Sequence, residues 1–198
     1  MCRFAAGYFG VDYEDKRIAG EEWGAAKAAG TYGAGNQLPV LIKKDGSILN
    51  QSEAILDFIC HGKDHQPKTP METYWLTWFR SMSADYGKKE GFGTPMFKEN
   101  ATDEEIEKSA ALQKEVVDKI DKMCSDGRSR MCGENITAAD FQLLTSWTSI
   151  HANPKAKNPK FNEQVKAHIE SKEHYMRVLN NILKDCQSQV DALEYGWI

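Results

Sequence analysis

Apolar and polar positions along this chain follow two different textures. Up to about residue 63 the pattern is mixed. "FAAGYFGV" (4–11) reads as the end of a helix, "DYEDKRI" (12–18) as a strand and "GEEWGAAKAAG" (20–30) as a short helix or loop. "PVLIKKDGSILN" (39–50) reads as two strands around a turn, with Asp45-Gly46 as the hairpin signal for a type I′ turn. In "SEAILDFICHGK" (52–63), Ser52 is placed to cap a helix whose buried face is Ala54, Ile55, Phe58 and Ile59. From Pro70 onward no strand-like alternation appears, only long stretches with apolar residues at three-to-four spacing.

These later stretches carry their own start signals. "METYWLTWFRSMSADYGKK" (71–89) is a helix rich in aromatic residues. "TDEEIEKSAALQKEVVDKIDKMC" (102–124) opens on a threonine cap, with acids in its first turn where the helix dipole favours them. "NITAADFQLLTSWTSI" (135–150) holds a capping box, Thr137 with Asp140, between Ile136 and Phe141 placed as a hydrophobic staple. A Pro/Asn loop, "HANPKAKNPK" (151–160), precedes a return to helix over 162–186. The apolar tail "LEYGWI" (193–198) is of a kind that folds back over a cleft. No internal repeat or low-complexity tract interrupts the plan. It is a small α/β unit over residues 1–63, a linker near 62–70, and an all-helical unit over 70–198.

Composition narrows what such a chain does. Its 198 residues are 41% hydrophobic and 27% charged, enough for a sizeable core, and the net charge of −4 offers no basic field for nucleic acid or anionic lipid. No apolar run reaches the length of a membrane span, and the start has no signal-peptide pattern. Five cysteines (Cys2, Cys60, Cys124, Cys132, Cys186), an odd number without metal-ligand spacing, suit a reducing, cytoplasmic setting without a disulfide framework or zinc site. The five histidines are scattered and propose no metal cluster.

The stretch "NQLPVLIKKDGSILNQSEAIL" (36–56) carries the chemistry. Proline cannot donate to a ladder, so Pro39 belongs at a strand's start or edge. With a cis Leu38–Pro39 bond, the backbone N–H and C=O of Leu38 face a pocket and pair with an extended peptide as another strand would. One hairpin later Ser52 heads a helix whose free N–H groups and dipole attract a carboxylate. Trp23 and Lys27 supply a second anion-binding edge. The whole describes a cradle for a short, acidic, extended peptide.

"EEWGAAKAAG…NQLPVL…DGSILNQSEAIL" and "MCGENITAADF" resemble, in this order and over nearly the whole chain, a cytosolic glutathione S-transferase. Gln51-Ser52 resembles the tyrosine-using branch of that family, with a sigma-like leaning. The resemblance implies a thioredoxin-like N-terminal domain and an all-helical C-terminal domain, with glutathione as co-substrate and no metal. It implies Trp23, Lys27 and Gln37 at the glycyl end and Leu38 before Pro39 at the cysteinyl unit. Gln51 and Ser52 would hold the γ-glutamyl carboxylate, and Asp85 would reach the γ-glutamyl amine bound in a neighbouring subunit, hence a homodimer. Tyr86 and Met82 would face the pocket for a small, apolar electrophile. Taken singly, Trp23 reads as core and Asp85 as a solvated helix face.

One departure bears on activity. In the family a strand, a turn and half a helix precede residues like "RFAAGYFGVDYED", and that strand is central and carries the tyrosine that activates the glutathione sulfur. Here Met1 falls inside the helix, so the thioredoxin-like domain is expected without its first strand, and no catalytic residue is assigned. Tyr8 ends the first helix and reads as packing. Cys2 lies in that helix too, and Gln51-Ser52 argues against a cysteine-using type. Unpaired neighbours of a missing central strand are costly. Three arrangements would meet that cost: further residues upstream, a strand from another chain or from rearranged pairing, or a relative that serves as a non-catalytic structural or assembly subunit. Membership of a larger assembly stays open.

Overall fold

A computed structural model describes residues 1–33, 35–63 and 66–192, all with side chains except Phe97. The chain divides into two compact units, residues 1–66 and 67–198. The linker expected at 62–70 includes Asp64 and His65, which lie outside the described residues, as does the tail at 193–198.

In the first unit, helix α1 (Cys2–Tyr8) packs on α3 (Ser52–Cys60). Small residues allow the approach: Ala5 and Ala6 are buried, beside Phe4, Ile55, Leu56 and Cys60. The α3 face is thus rotated from the expected one, because Phe58 is half exposed and Ala54 faces solvent. Helix α2 (Gly20–Ala28) has no buried residue. Strands β1 (Leu41–Ile42) and β2 (Ile48–Leu49) pair antiparallel, Leu41 with Leu49 and Ile42 with Ile48.

Two local expectations are corrected. The hairpin turn is not type I′, since Gly46 has φ +81° while Asp45 keeps a negative φ. The Gly46 N–H closes the turn on the Lys43 carbonyl at 2.9 Å, and the Asp45 carboxylate accepts from the Ser47 N–H (2.9 Å), the Ser47 hydroxyl (2.6 Å) and Lys43 Nζ (2.8 Å). Those side-chain bonds stabilise the five-residue loop over the two-residue one. Residues 12–18, expected as a strand, join no ladder among the described residues. Arg3 and Arg17 instead clasp Asp15 at 2.8 and 3.4 Å, holding the segment by side chains.

The second unit is helical throughout its described residues: α4 (Pro70–Gly87), α5 (Thr94–Phe97), α6 (Asp103–Met123), α7 (Ala138–Ser146), α8 (Pro159–Glu170), α9 (Glu173–Asp185) and α10 (Gln187–Asp191). A π-helical turn, Trp147–His151, continues α7. Capping boxes start α4 (Thr69 with Glu72), α6 (Thr102 with Glu105) and α7 (Thr137 with Asp140), so the caps expected at Thr102 and Thr137 are adopted and a further one starts α4. α6 sends Ile106, Ala110, Gln113, Val117 and Ile120 inward at helical spacing. It packs on α4, α8 and α9, and α7 packs on α4 and α9. Phe141, Leu143, Leu144, Phe161, Val165, Ile169, Val178, Leu179 and Ile182 complete the core, each contributing about 1.5–3 kcal/mol on burial. Ile136 and Phe141, the expected staple, are both buried.

The entry to α7 is a closed polar knot. Asp140, fully buried, accepts from the Met131 N–H (2.9 Å), the Thr137 N–H (2.6 Å) and the Thr137 hydroxyl (2.8 Å). Nearby, Arg128 lies 4.2 Å over the Trp75 ring while bonding both Asp126 oxygens and the Met131 carbonyl. The stack ties α4 to the 126–131 loop.

Candidate functional site

The peptide bond Leu38–Pro39 is cis. Gln37, Leu38 and Pro39 are exposed, and the Leu38 backbone makes no hydrogen bond to another described residue. The main-chain edge expected to meet an extended peptide is therefore present and uncommitted among the described residues.

Three residues beyond the hairpin, α3 begins in an unusual way. Gln51 is the N-cap and sits at φ +70°, ψ 113°, a left-handed backbone that side-chain-bearing residues rarely adopt. Ser52 is the first helical residue, which corrects its expected role as cap. The first intrahelical bond runs from the Ile55 N–H to the Gln51 carbonyl at 2.9 Å, and the Gln51 side chain makes no capping bond. The start of the helix is the positive end of its dipole, which favours a nearby anion. The Cys2 thiol donates to the Ser52 carbonyl at 3.4 Å and so anchors this helix start to α1.

On the other side, Trp23 is half-buried and stacks on Tyr32 with ring centroids 6.1 Å apart and planes at 21°. Lys27, one turn on, is exposed in the last turn of α2. Two asparagines fasten this edge to the rest. Asn36, itself at φ +41°, donates to the Lys27 carbonyl at 2.9 Å, and Asn50 donates to the Tyr32 carbonyl at 3.0 Å. Gly35 permits the second bond, because a Cβ there would lie 2.6 Å from the Asn50 Cβ. Sequence reasoning missed both asparagines; the signal was the "GAGN" run, where glycines leave room for a close approach.

Trp23, Lys27, Gln37, Leu38, Pro39, Gln51 and Ser52 thus all belong to the first unit. Asp85 belongs to the second, exposed on α4. Tyr86 and Met82, expected at an acceptor pocket, are buried in the helical unit. The Tyr86 hydroxyl donates to Glu115 at 2.9 Å under a Lys89 cation 3.7 Å from its ring, and burial pushes its pKa up. Tyr8 ends α1 edge-on to Phe9 at 5.2 Å. Burial raises the thiol of Cys2, and raises those of Cys124, Cys132 and Cys186 to about 12, so none of these four is an activated nucleophile. Among the described residues no group of His, Cys, Asp and Glu is placed to hold a metal ion, and no helix is long and apolar enough to cross a membrane.

No family model matches the chain. Individual proteins do. Glutathione S-transferase 1 of Ascaris suum is 31% identical over 152 residues, covering 71% of this chain and 70% of that protein. The crystal structure of the glutathione S-transferase from Ascaris lumbricoides superposes with a TM-score of 0.63 at 27% identity, over 94% of this chain and 89% of that one. A Caenorhabditis elegans glutathione transferase superposes at a TM-score of 0.71 and 21% identity, over 100% and 92% of the two chains, and shares the fold. With a thioredoxin-like N-terminal domain followed by a helical one, this chain belongs to the glutathione S-transferase family.

Proposed function

We propose that the chain binds glutathione and conjugates it to small, largely apolar electrophiles. Residues 1–63 form the glutathione-binding domain and residues 70–198 the helical domain. The observation that carries this reading is the pairing of a cis Leu38–Pro39 edge with an α3 start whose N-cap, Gln51, makes no side-chain capping bond, one hairpin apart in the same unit. Leu38 pairs its backbone with the cysteinyl unit. Gln51, the Ser52 hydroxyl and the first N–H groups of α3 hold the γ-glutamyl carboxylate. Trp23, Lys27 and Gln37 hold the glycyl end. The bound sulfur, as thiolate, attacks the electrophilic carbon and expels its leaving group, its proton having passed to solvent. This chain's described residues orient the peptide; none is assigned to the sulfur.

Asp85 reaches the glutathione of a second copy in a homodimer, and the exposed Met71 and Tyr74 on α4 support a partner along that helix. A detoxifying role in the cytoplasm, where cysteines stay reduced, suits the five free thiols. A second reading, a structural or assembly subunit that binds glutathione without turnover, is favoured by one observation: the described sheet consists of two two-residue strands.

Calorimetric titration with glutathione, followed by conjugation assays with 1-chloro-2,4-dinitrobenzene, separates these outcomes. Binding weakened at least tenfold by Lys27→Ala or Ser52→Ala, on the scale of one charge-assisted hydrogen bond, with turnover, supports the enzyme. The same binding without turnover supports the structural subunit, and absence of binding overturns both.

A further inference from the structure

A partly open pocket of about 120 Å³ is lined by residues of the helical unit alone, most of them from α4, α6, α7, α9 and the π-helical turn. Phe79, Val117, Ile120, Leu143 and Tyr175 form most of its wall. On the same kind of measure one water needs roughly 10–15 Å³, and an apolar cavity of about 150 Å³ in another protein accepts benzene. The space therefore suits one ring-sized molecule.

The cavity has one polar feature that the surrounding core does not satisfy. His151 lines it, is 4% exposed, and has its Nδ1 buried without a hydrogen-bond partner among the described residues. Buried polar atoms are ordinarily paired, so this nitrogen offers a hydrogen bond to a guest in the space. The backbone is built to bring it there. Trp147–His151 adopts the rare i to i+5 pattern, closed by the Ala152 N–H on the Trp147 carbonyl at 2.7 Å, and such turns concentrate at functional sites. The lining contains no Asp, Glu, Lys or Arg, so a charged guest would lose its hydration without a counter-charge. Water filling the space would meet few polar groups: the imidazole and the hydroxyls of Ser83, Ser146 and Tyr175, of which Ser146 already donates to the Gln142 carbonyl at 3.2 Å.

We infer that this cavity is a binding site for one small, neutral aromatic molecule bearing a single O–H or N–H group, of the phenol class, hydrogen-bonded to His151. The ring replaces missing van der Waals contacts with Phe79, Val117, Ile120 and Leu143, and its polar group pairs Nδ1. The site shares no residue with the proposed glutathione cradle, so it fills independently of glutathione.

Phenol is the probe, used with the full chain and followed through the side-chain nitrogen resonances of His151. Saturable binding that shifts the His151 nitrogens, survives saturating glutathione, and is roughly tenfold tighter than that of toluene, the effect of one hydrogen bond, is expected. Val117→Phe, which fills the space from α6, is expected to abolish phenol binding; His151→Phe is a second filling variant that does not depend on α6. Binding of phenol and toluene with equal affinity, binding that persists in whichever variant folds, or no movement of the His151 resonances at millimolar phenol overturns the inference.

Discussion

Asn50 donates from Nδ2 to the Tyr32 backbone carbonyl at 3.0 Å, joining the residue before Gln51 to the tyrosine whose ring stacks on Trp23. Through this bond the two ends of the proposed peptide cradle share one support. Gly35 sits against the same asparagine and has no space for a methyl group. Gly35→Ala is expected to destabilise the first unit by about 1–3 kcal/mol through overpacking and to weaken glutathione binding in proportion. Urea unfolding and titration measure both. Asn50→Ala frees the space, so the double variant should be less destabilised than the sum of the singles; strict additivity would show that the two residues are not in contact.

Gln51→Gly separates backbone strain from binding. A glycine accepts φ +70° without steric cost, so the variant should unfold about 1 kcal/mol later than the parent. It also lacks the amide assigned to the γ-glutamyl carboxylate, so glutathione affinity should fall. A variant that is both less stable and equally tight would remove Gln51 from the site.

The buried knot at α7 makes Asp140→Ala one of the most damaging single changes available. It leaves the Met131 N–H, the Thr137 N–H and the Thr137 hydroxyl without their acceptor. A loss of about 3 kcal/mol or more is expected from chemical unfolding of the helical unit.

Two buried groups give opposite pH slopes. Burial lowers His151 from 6.5 to about 4, so the unfolded chain takes up its proton first and stability is lost as pH falls from 6.5 toward 4. Burial raises Asp140 from 3.8 to about 6 against the pull of its three donors and of Arg130, so the folded chain holds a proton first and stability is gained as pH falls from 6 toward 4. In the parent the two nearly cancel. His151→Phe should therefore gain stability relative to the parent across that window, and Asp140→Asn should lose it, each by about 3 kcal/mol from end to end. Parallel pH profiles for parent and variants would refute the assignment.

For the proposed dimer, the exposed α4 surface is the place to intervene. Tyr74→Glu puts a charge beside Met71 on that face and should shift sedimentation toward a monomer at micromolar concentration, while far-ultraviolet dichroism stays that of a helical protein. An unchanged dimer would move the interface elsewhere.

What the sequence made legible was mostly local. The caps at Thr102 and Thr137 announced α6 and α7 because their partners lie three residues apart, within one turn, whereas the Thr69–Glu72 box of α4 went unread. The cis proline and the Gln51-Ser52 helix start were likewise written in adjacent residues. What escaped depended on contacts the one-dimensional pattern does not hold. The α3 face turned toward Ile55, Leu56 and Cys60 because α1 approaches there through alanines. The segment 12–18 has strand-like residues, but a strand is made by a neighbour's hydrogen bonds, and its side chains found Arg3 instead. Asp45 selected its turn through bonds to Ser47 and Lys43. His151, read only as one scattered histidine, gained its meaning from a cavity built by four helices.

The π-helical turn makes that last placement a matter of counting. An α-helix advances about 100° per residue, and the wider ring at 147–151 absorbs one residue more than the regular spiral holds. Wound instead as regular α-helix, the same five residues would carry the imidazole roughly a quarter turn away from Tyr175 and Phe79. The winding of this short arc decides whether the helical unit keeps a polar contact in its interior.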